Sequence, residues 1–222
     1  MTAESLAVPL LRENVLHFLG YRGRGRPASR TEEALESALE EARRLIVPRG
    51  VRRIVPAESA NALGLERGAG LAAEVALGLV TIGPALESRV SELLGRGEDL
   101  RALLLDAAGS AAAEEAAEEL ERRIHEDARK PGDGAARATS RRVSPGYGSW
   151  PVTAQRALFG MLPHDEIDVR LLPSCIMSPR KSVSFAVWLG AGDREECRTR
   201  RCSTCDLMTC PYREETGVEE ES

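Results

Sequence analysis

Residues 142–151 read Arg-Val-Ser-Pro-Gly-Tyr-Gly-Ser-Trp-Pro. The Pro145-Gly146 pair forces a tight turn, and the glycine lets backbone approach a ligand closely. Just before the turn, Arg142 offers a planar fork of donors that matches a carboxylate. Just after it, Tyr147 offers an aromatic face for a flat ring or a cation. On residue types alone, the commoner meaning of such a stretch is a surface turn. Pro151 stands where a helix would start, and Gln155, Leu158, Phe159 and Leu162 continue a helical period.

C-terminal to the turn, two strand-like segments follow, residues 167–172 and 182–189, the second alternating polar and apolar. On the other side, a polar connector, Lys130 to Ser140, separates the turn from helices expected at 84–94 and 98–128. The Ala/Glu-rich run Ala111 to Arg123 has high helix propensity, and Gly109-Ser110 is where that helix would bend or split. Val75 to Ile82 is an unbroken apolar run closed by Gly83-Pro84, which reads as a buried strand. Residues 51–56 read as a short strand, and residues 59–73 are ambiguous. Leu35, Leu39, Ala42, Leu45 and Ile46 repeat at helical intervals behind Ser29 and Glu32, which have capping-box spacing; Pro48 ends that helix. Residues 10–20 look like a short helix closed by Gly20.

With 42% apolar residues the chain can build a true core, and with only 4% aromatics that core is aliphatic. A formal net charge of −5 argues against a general nucleic-acid binder, whose field would be positive. No run is long and apolar enough to span a bilayer, and Glu4, Arg12, Glu13 and His17 interrupt any signal-peptide-like core. The expectation is a cytoplasmic protein. Thiols stay reduced there, so Cys197, Cys202, Cys205 and Cys210 point to a metal centre before disulfides. Four thiolates in so short a span suit one zinc ion or an iron–sulfur cluster, and the spacing does not choose between them. Cys175, alone in an apolar setting, reads as a small core residue. Gly23-Arg24-Gly25-Arg26-Pro27 spells the core of a minor-groove peptide, but one copy in an acidic chain reads as a solvated loop. His17, His125 and His164 are scattered; the last two read as surface residues.

Arg-x-x-Pro-Gly-Tyr, followed by a proline opening a helix, resembles the S-adenosylmethionine-binding signature of the activation domain of cobalamin-dependent methionine synthase. The order continues: Val169-Arg170-Leu171 leads to Met177-Ser178-Pro179 and then Ser182-Val183-Ser184. Upstream, Glu114 to Ile124 is similar to the family's long helix. Stand-alone versions of the domain share Leu19 to Gly23, Gly83-Pro84, Asp106 to Ser110 and Pro179 to Ser184. Two family features are missing: an acidic ligand contact near the N-terminus, and a tyrosine after the last strand.

The resemblance implies an α+β fold, with helices packed around a twisted, mostly antiparallel sheet. It implies an S-adenosylmethionine site in which Arg142 holds the methionine carboxylate, the Pro145-Gly146 backbone lines the groove, Tyr147 packs on the ligand and Glu114 lies close by. It also implies a methyltransferase-associated role in methionine biosynthesis, the reductive methylation of cob(II)alamin. No Asp-x-His-x-x-Gly run is present, so the cobalamin is expected on a partner, a methionine synthase or other corrinoid protein, with a separate electron donor. Neither nucleic acid nor membrane is an expected partner. The expected organisation is a binding domain over 1–192, with 1–56 as its N-terminal helical part. A four-cysteine metal-binding segment over 193–213 and a disordered acidic tail over 214–222 would follow. Two other functions stay open: an iron–sulfur electron-transfer protein, and a zinc-stabilised, non-catalytic partner of a corrinoid protein.

Overall fold

The computed structural model of the protein describes residues 3–21, 27–65, 72–130 and 138–190. An unbroken apolar strand needs cover on both faces, and β3 (Glu74–Thr81) has it. It is the hub of an antiparallel sheet in the order β1-β2-β3-β6, where β1 is Glu4–Ser5, β2 Arg49–Pro56 and β6 Ser182–Leu189. Thr81 sits opposite Arg49 on one side and Ser182 on the other, and Glu74 sits opposite Leu189.

One face of the sheet carries Leu6, Ala76, Val80, Phe185 and Val187 against Ala116, Ala117, Leu120 and Ile124 of α5 (Asp99–Arg129). The other carries Val51, Leu77, Leu79, Ala186 and Trp188 against Trp150, Leu158, Phe159, Ile167 and Val169. The N-terminal half of α5 packs with α1 (Arg12–Phe18), α2 (Ser29–Leu45) and α4 (Ala85–Gly95) around Leu35, Leu39, Leu86 and Leu105. A short helix, α3 (Ser59–Ala62), follows β2. The arrangement is α+β, as expected, with helices packed on an antiparallel sheet.

Several local expectations change on contact with tertiary structure. Glycine-serine does not interrupt α5, which runs unbroken for 31 residues. A Cβ at Gly109 would come 2.6 Å from Leu86 Cδ2, so the missing side chain lets α4 approach and the packing outweighs the weak helix propensity. No capping box forms at α2. Ala28 is the N-cap, no side chain caps it, and the Glu32 carboxylate is taken by Arg12 instead. The strand expected at 167–172 is mostly replaced by a 3-10 turn over His164–Ile167 and a two-residue strand, β4 (Arg170–Leu171), paired with β5 (Met177–Ser178). The polar–apolar alternation of β6 does not mean one wet face, because Ser182 and Ser184 are buried too. The Ser182 hydroxyl meets Thr81 Oγ1 at 3.0 Å and donates to Pro179 O at 2.8 Å.

Candidate functional site

By strand order β6 would be an open edge. Residues 138–143 run alongside part of it: Gly190 N–H donates to Ala138 O (2.8 Å), Ser140 N–H to Trp188 O (3.0 Å), and Val143 and Ala186 exchange both backbone bonds. This short partner strand delivers Arg142 to the α5 side of the sheet. The chain then leaves the edge through the Ser144–Trp150 turn. Pro145, Gly146 and Tyr147 sit there, with Gly146 at φ 95° and Gly148 at φ 56°, where glycine is unstrained. Gly146 N–H donates to Trp150 O at 2.8 Å, and the Trp150 indole N–H donates to Leu63 O at 2.7 Å, pinning the turn to the residues after β2. Tyr147 is 74% exposed at the tip. Pro151 caps a 3-10 turn over Val152–Ala154, which leads into α6 (Gln155–Met161). At the start of that helix Gln155 is buried, with its Oε1 unpaired.

Arg142 is buried, and its guanidinium is engaged by two carboxylates of α5. Glu121 accepts from Arg142 Nε (2.9 Å) and from the Arg142 backbone N–H (2.8 Å). Arg142 Nη2 donates to Glu114. Those glutamates are seven residues apart, two helical turns, so both project from one face of α5. Phe185 lies beneath the guanidinium, its ring centroid 5.7 Å from Arg142 Cζ. That ring fits only because residue 78 opposite it is glycine, where a Cβ would stand 2.4 Å from the phenyl edge.

Of the residues expected at a ligand site, the structure brings Arg142 and Glu114 together and sets Pro145, Gly146 and Tyr147 on the adjoining turn. Sequence reading missed Glu121. The readable signal was its helical spacing from Glu114, hidden among many other glutamates. His125 is corrected from a surface residue to a half-buried one: its Nδ1 is 2.7 Å from Thr139 Oγ1 and its Nε2 3.5 Å from Glu121 Oε1. His164 is half-buried as well, with Nδ1 2.8 Å from Val169 O. Cys175 is buried, as expected. Cys197, Cys202, Cys205 and Cys210, and residues 22–26 of the arginine-glycine loop, lie outside the described residues. Among the described residues no group of three or more His, Cys, Asp or Glu is arranged to hold a metal ion, and no helix is long and apolar enough to cross a membrane.

No curated protein matches the chain. Among solved structures it resembles the crystal structure of the MetH reactivation domain bound to AdoHcy, with a TM-score of 0.61 and 14% identity over 87% of this chain and 80% of that one. At that identity the likeness speaks for the fold. The family model for the activation domain of vitamin B12 dependent methionine synthase matches residues 65–194, more than half of the chain and the whole of the Arg142 site. With α5, β3, β6 and the Arg142 turn all inside that match, the chain belongs to the family of vitamin B12-dependent methionine synthase activation domains.

Proposed function

We propose that this protein binds S-adenosylmethionine beside the Arg142 turn and gives its methyl group to cob(II)alamin held by a partner, a methionine synthase or related corrinoid protein. The observation that carries the reading is a buried arginine, oriented by two carboxylates, next to an exposed tyrosine on a Pro-Gly turn. An α-amino acid end needs a cationic fork for its carboxylate and an anion for its ammonium, and Arg142 and Glu114 are such a pair. Tyr147 offers its ring to the adenine or the sulfonium. The neighbouring reactivation domain was crystallised with AdoHcy, the demethylated product of such a donor.

The balance of the reaction is simple. An external donor supplies one electron, which takes the partner's cobalt from Co(II) to Co(I). The reduced cobalt attacks the sulfonium methyl. The S–CH3 bond breaks with its pair going to sulfur, the Co–C bond forms, and S-adenosylhomocysteine leaves. No proton moves, so the chain's own residues have only to bind, orient and expose the methyl group.

In this reading residues 1–192 form the binding unit, including the N-terminal part over 1–56, and the protein works in the cytoplasm. Cys197, Cys202, Cys205 and Cys210, over 193–213, share one metal centre ahead of an acidic tail over 214–222. Four thiolates are the donor set of structural zinc or of an iron–sulfur cluster, and a cluster would supply a route for the electron. Metal analysis of anaerobically purified protein should return about one zinc, or the iron and sulfide of one cluster, per chain. Four freely titrating thiols in metal-free, fully stable protein would exclude the centre.

Two measurements test the main reading. Calorimetry should show the isolated protein binding S-adenosylmethionine. Mixed with a cobalamin-loaded partner lacking its own activation domain, it should convert cob(II)alamin to methylcobalamin, and only when S-adenosylmethionine and an electron donor are both present. Persistence of the cob(II)alamin spectrum with every component supplied, across several corrinoid partners, would show the function to be wrong.

A further inference from the structure

We infer that Glu121 is the positioning residue of this site and Glu114 its exchangeable one: Glu121 holds Arg142 in a single orientation while the carboxylate of an incoming amino-acid end displaces Glu114 from the guanidinium. This rests on the binding reading above and deepens it.

The two glutamates treat Arg142 differently. Glu121 places both oxygens on Arg142, Oε1 accepting from its backbone N–H and Oε2 from its Nε. One carboxylate that grips main chain and side chain together fixes the torsions between them. Its side chain is 12% exposed, whereas that of Glu114 is 36% exposed. The ring of Phe185 closes the face of the guanidinium. His125 lies against the same carboxylate, its Nε2 3.5 Å from Glu121 Oε1 and its Nδ1 2.7 Å from Oγ1 of Thr139, three residues before Arg142. On Arg142, by contrast, Glu114 accepts from the outer nitrogen Nη2.

Which pair opens follows from solvation. A carboxylate that loses its cation while buried keeps an uncompensated charge, and one already near water is rehydrated. Glu114 is therefore the partner that yields. The ligand's carboxylate replaces it at Nη2, charge for charge, and the released Glu114 carboxylate is left beside the ligand's ammonium. Glu121 never meets the ligand, yet its loss would let the fork swing and erase recognition of the amino-acid end alone.

The test compares S-adenosylhomocysteine with 5′-methylthioadenosine, which lacks that end, by calorimetry on the full chain. Glu121→Gln should weaken the first roughly ten- to hundredfold, as for a lost charge-assisted hydrogen bond, and the second less than about threefold. A merely structural role would weaken both alike, so equal weakening, or no weakening of either, overturns the inference and leaves the binding reading standing. Should Glu121→Gln fail to fold, the wild-type protein decides. By NMR, the Arg142 Nε–H should keep its chemical shift and slow exchange when S-adenosylhomocysteine saturates the site; a large shift with fast exchange overturns the inference. Wild-type protein that binds neither ligand would overturn the binding reading itself, and this inference with it.

Discussion

Two cations border β6, one at its start and one beside its middle, and α5 captures both. At the start, Lys181 Nζ lies 2.8 Å from Asp106 Oδ1 and 2.7 Å from Ser110 Oγ, and its backbone N–H donates to Glu87 at 2.5 Å. Further along, Arg142 meets Glu114 and Glu121. Helical spacing supplies the partners in each case: Asp106 and Ser110 one turn apart, Glu114 and Glu121 two turns apart. The environments differ. Asp106 is open to water, so the lysine clasp is close to a surface ion pair, while Arg142 lies sealed over an aromatic ring. The same device therefore serves as a solvated latch in one place and as a buried, rigid clasp in the other, and the exposed Tyr147 stands only beside the second.

The largest expected effect is that of Arg142→Ala. It strands Glu121 without its cation and should lower unfolding stability by about 3 kcal/mol, the low end of the range for breaking a buried pair. It should also weaken S-adenosylmethionine binding by about 1.5–3 kcal/mol. Denaturant titration and calorimetry measure the two separately, and a loss of stability below about 1 kcal/mol would place Arg142 with Lys181 as a surface pair.

Gly78→Ala comes next. Its methyl meets the Phe185 ring inside the van der Waals limit, and overpacking of this kind costs about 1–3 kcal/mol. Because Phe185 is the floor under Arg142, ligand affinity should fall as well. Affinity unchanged in a destabilised variant would uncouple the aromatic floor from the arginine.

Lys181→Ala should cost less than about 1 kcal/mol, as expected of a pair with a solvated carboxylate. A thermal shift as large as that of Arg142→Ala would break the contrast between the two cations.

The smallest effect concerns the outer surface of α5. Glu119 has its pKa lowered chiefly by the hydrogen bond from Arg122, and Asp127 by that from Lys130. Carboxylates with depressed folded-state pKa values stabilise above their unfolded values, and that contribution fades as pH falls through the folded ones, so the window lies below about pH 4. Glu119→Gln should lower stability slightly at neutral pH and flatten the acid limb of a stability–pH profile, so that the variant and wild-type curves converge below about pH 4.

Much of the scaffold was legible because its signals are local. The apolar run Val75 to Ile82 announces a strand covered on both faces, and the Ala/Glu-rich run announces a long helix. The Pro-Gly turn with its flanking Arg142 and Tyr147 was readable from residue types and order. The 167–172 strand was misread because an apolar alternation there serves the packing of Ile167 and Val169 under the sheet and not a ladder. Ser29 looked like a cap because spacing cannot reveal that Glu32 has a better partner in Arg12, seventeen residues upstream of Ser29.

Local chemistry, then, settled the identity of the turn, the buried strand and the helix from sequence by itself, since backbone preference and hydrophobic period act over a few residues. Tertiary structure alone decided which glutamate holds Arg142, why residues 78 and 109 are glycine, and that β6 is buried on both faces. Those facts depend on chain segments brought together from 21 to 107 residues apart, such as Glu121 with Arg142 and Gly78 with Phe185. The direct cause is contact geometry: a carboxylate selects its cation by distance and burial, and a glycine is required only where another side chain already fills the space.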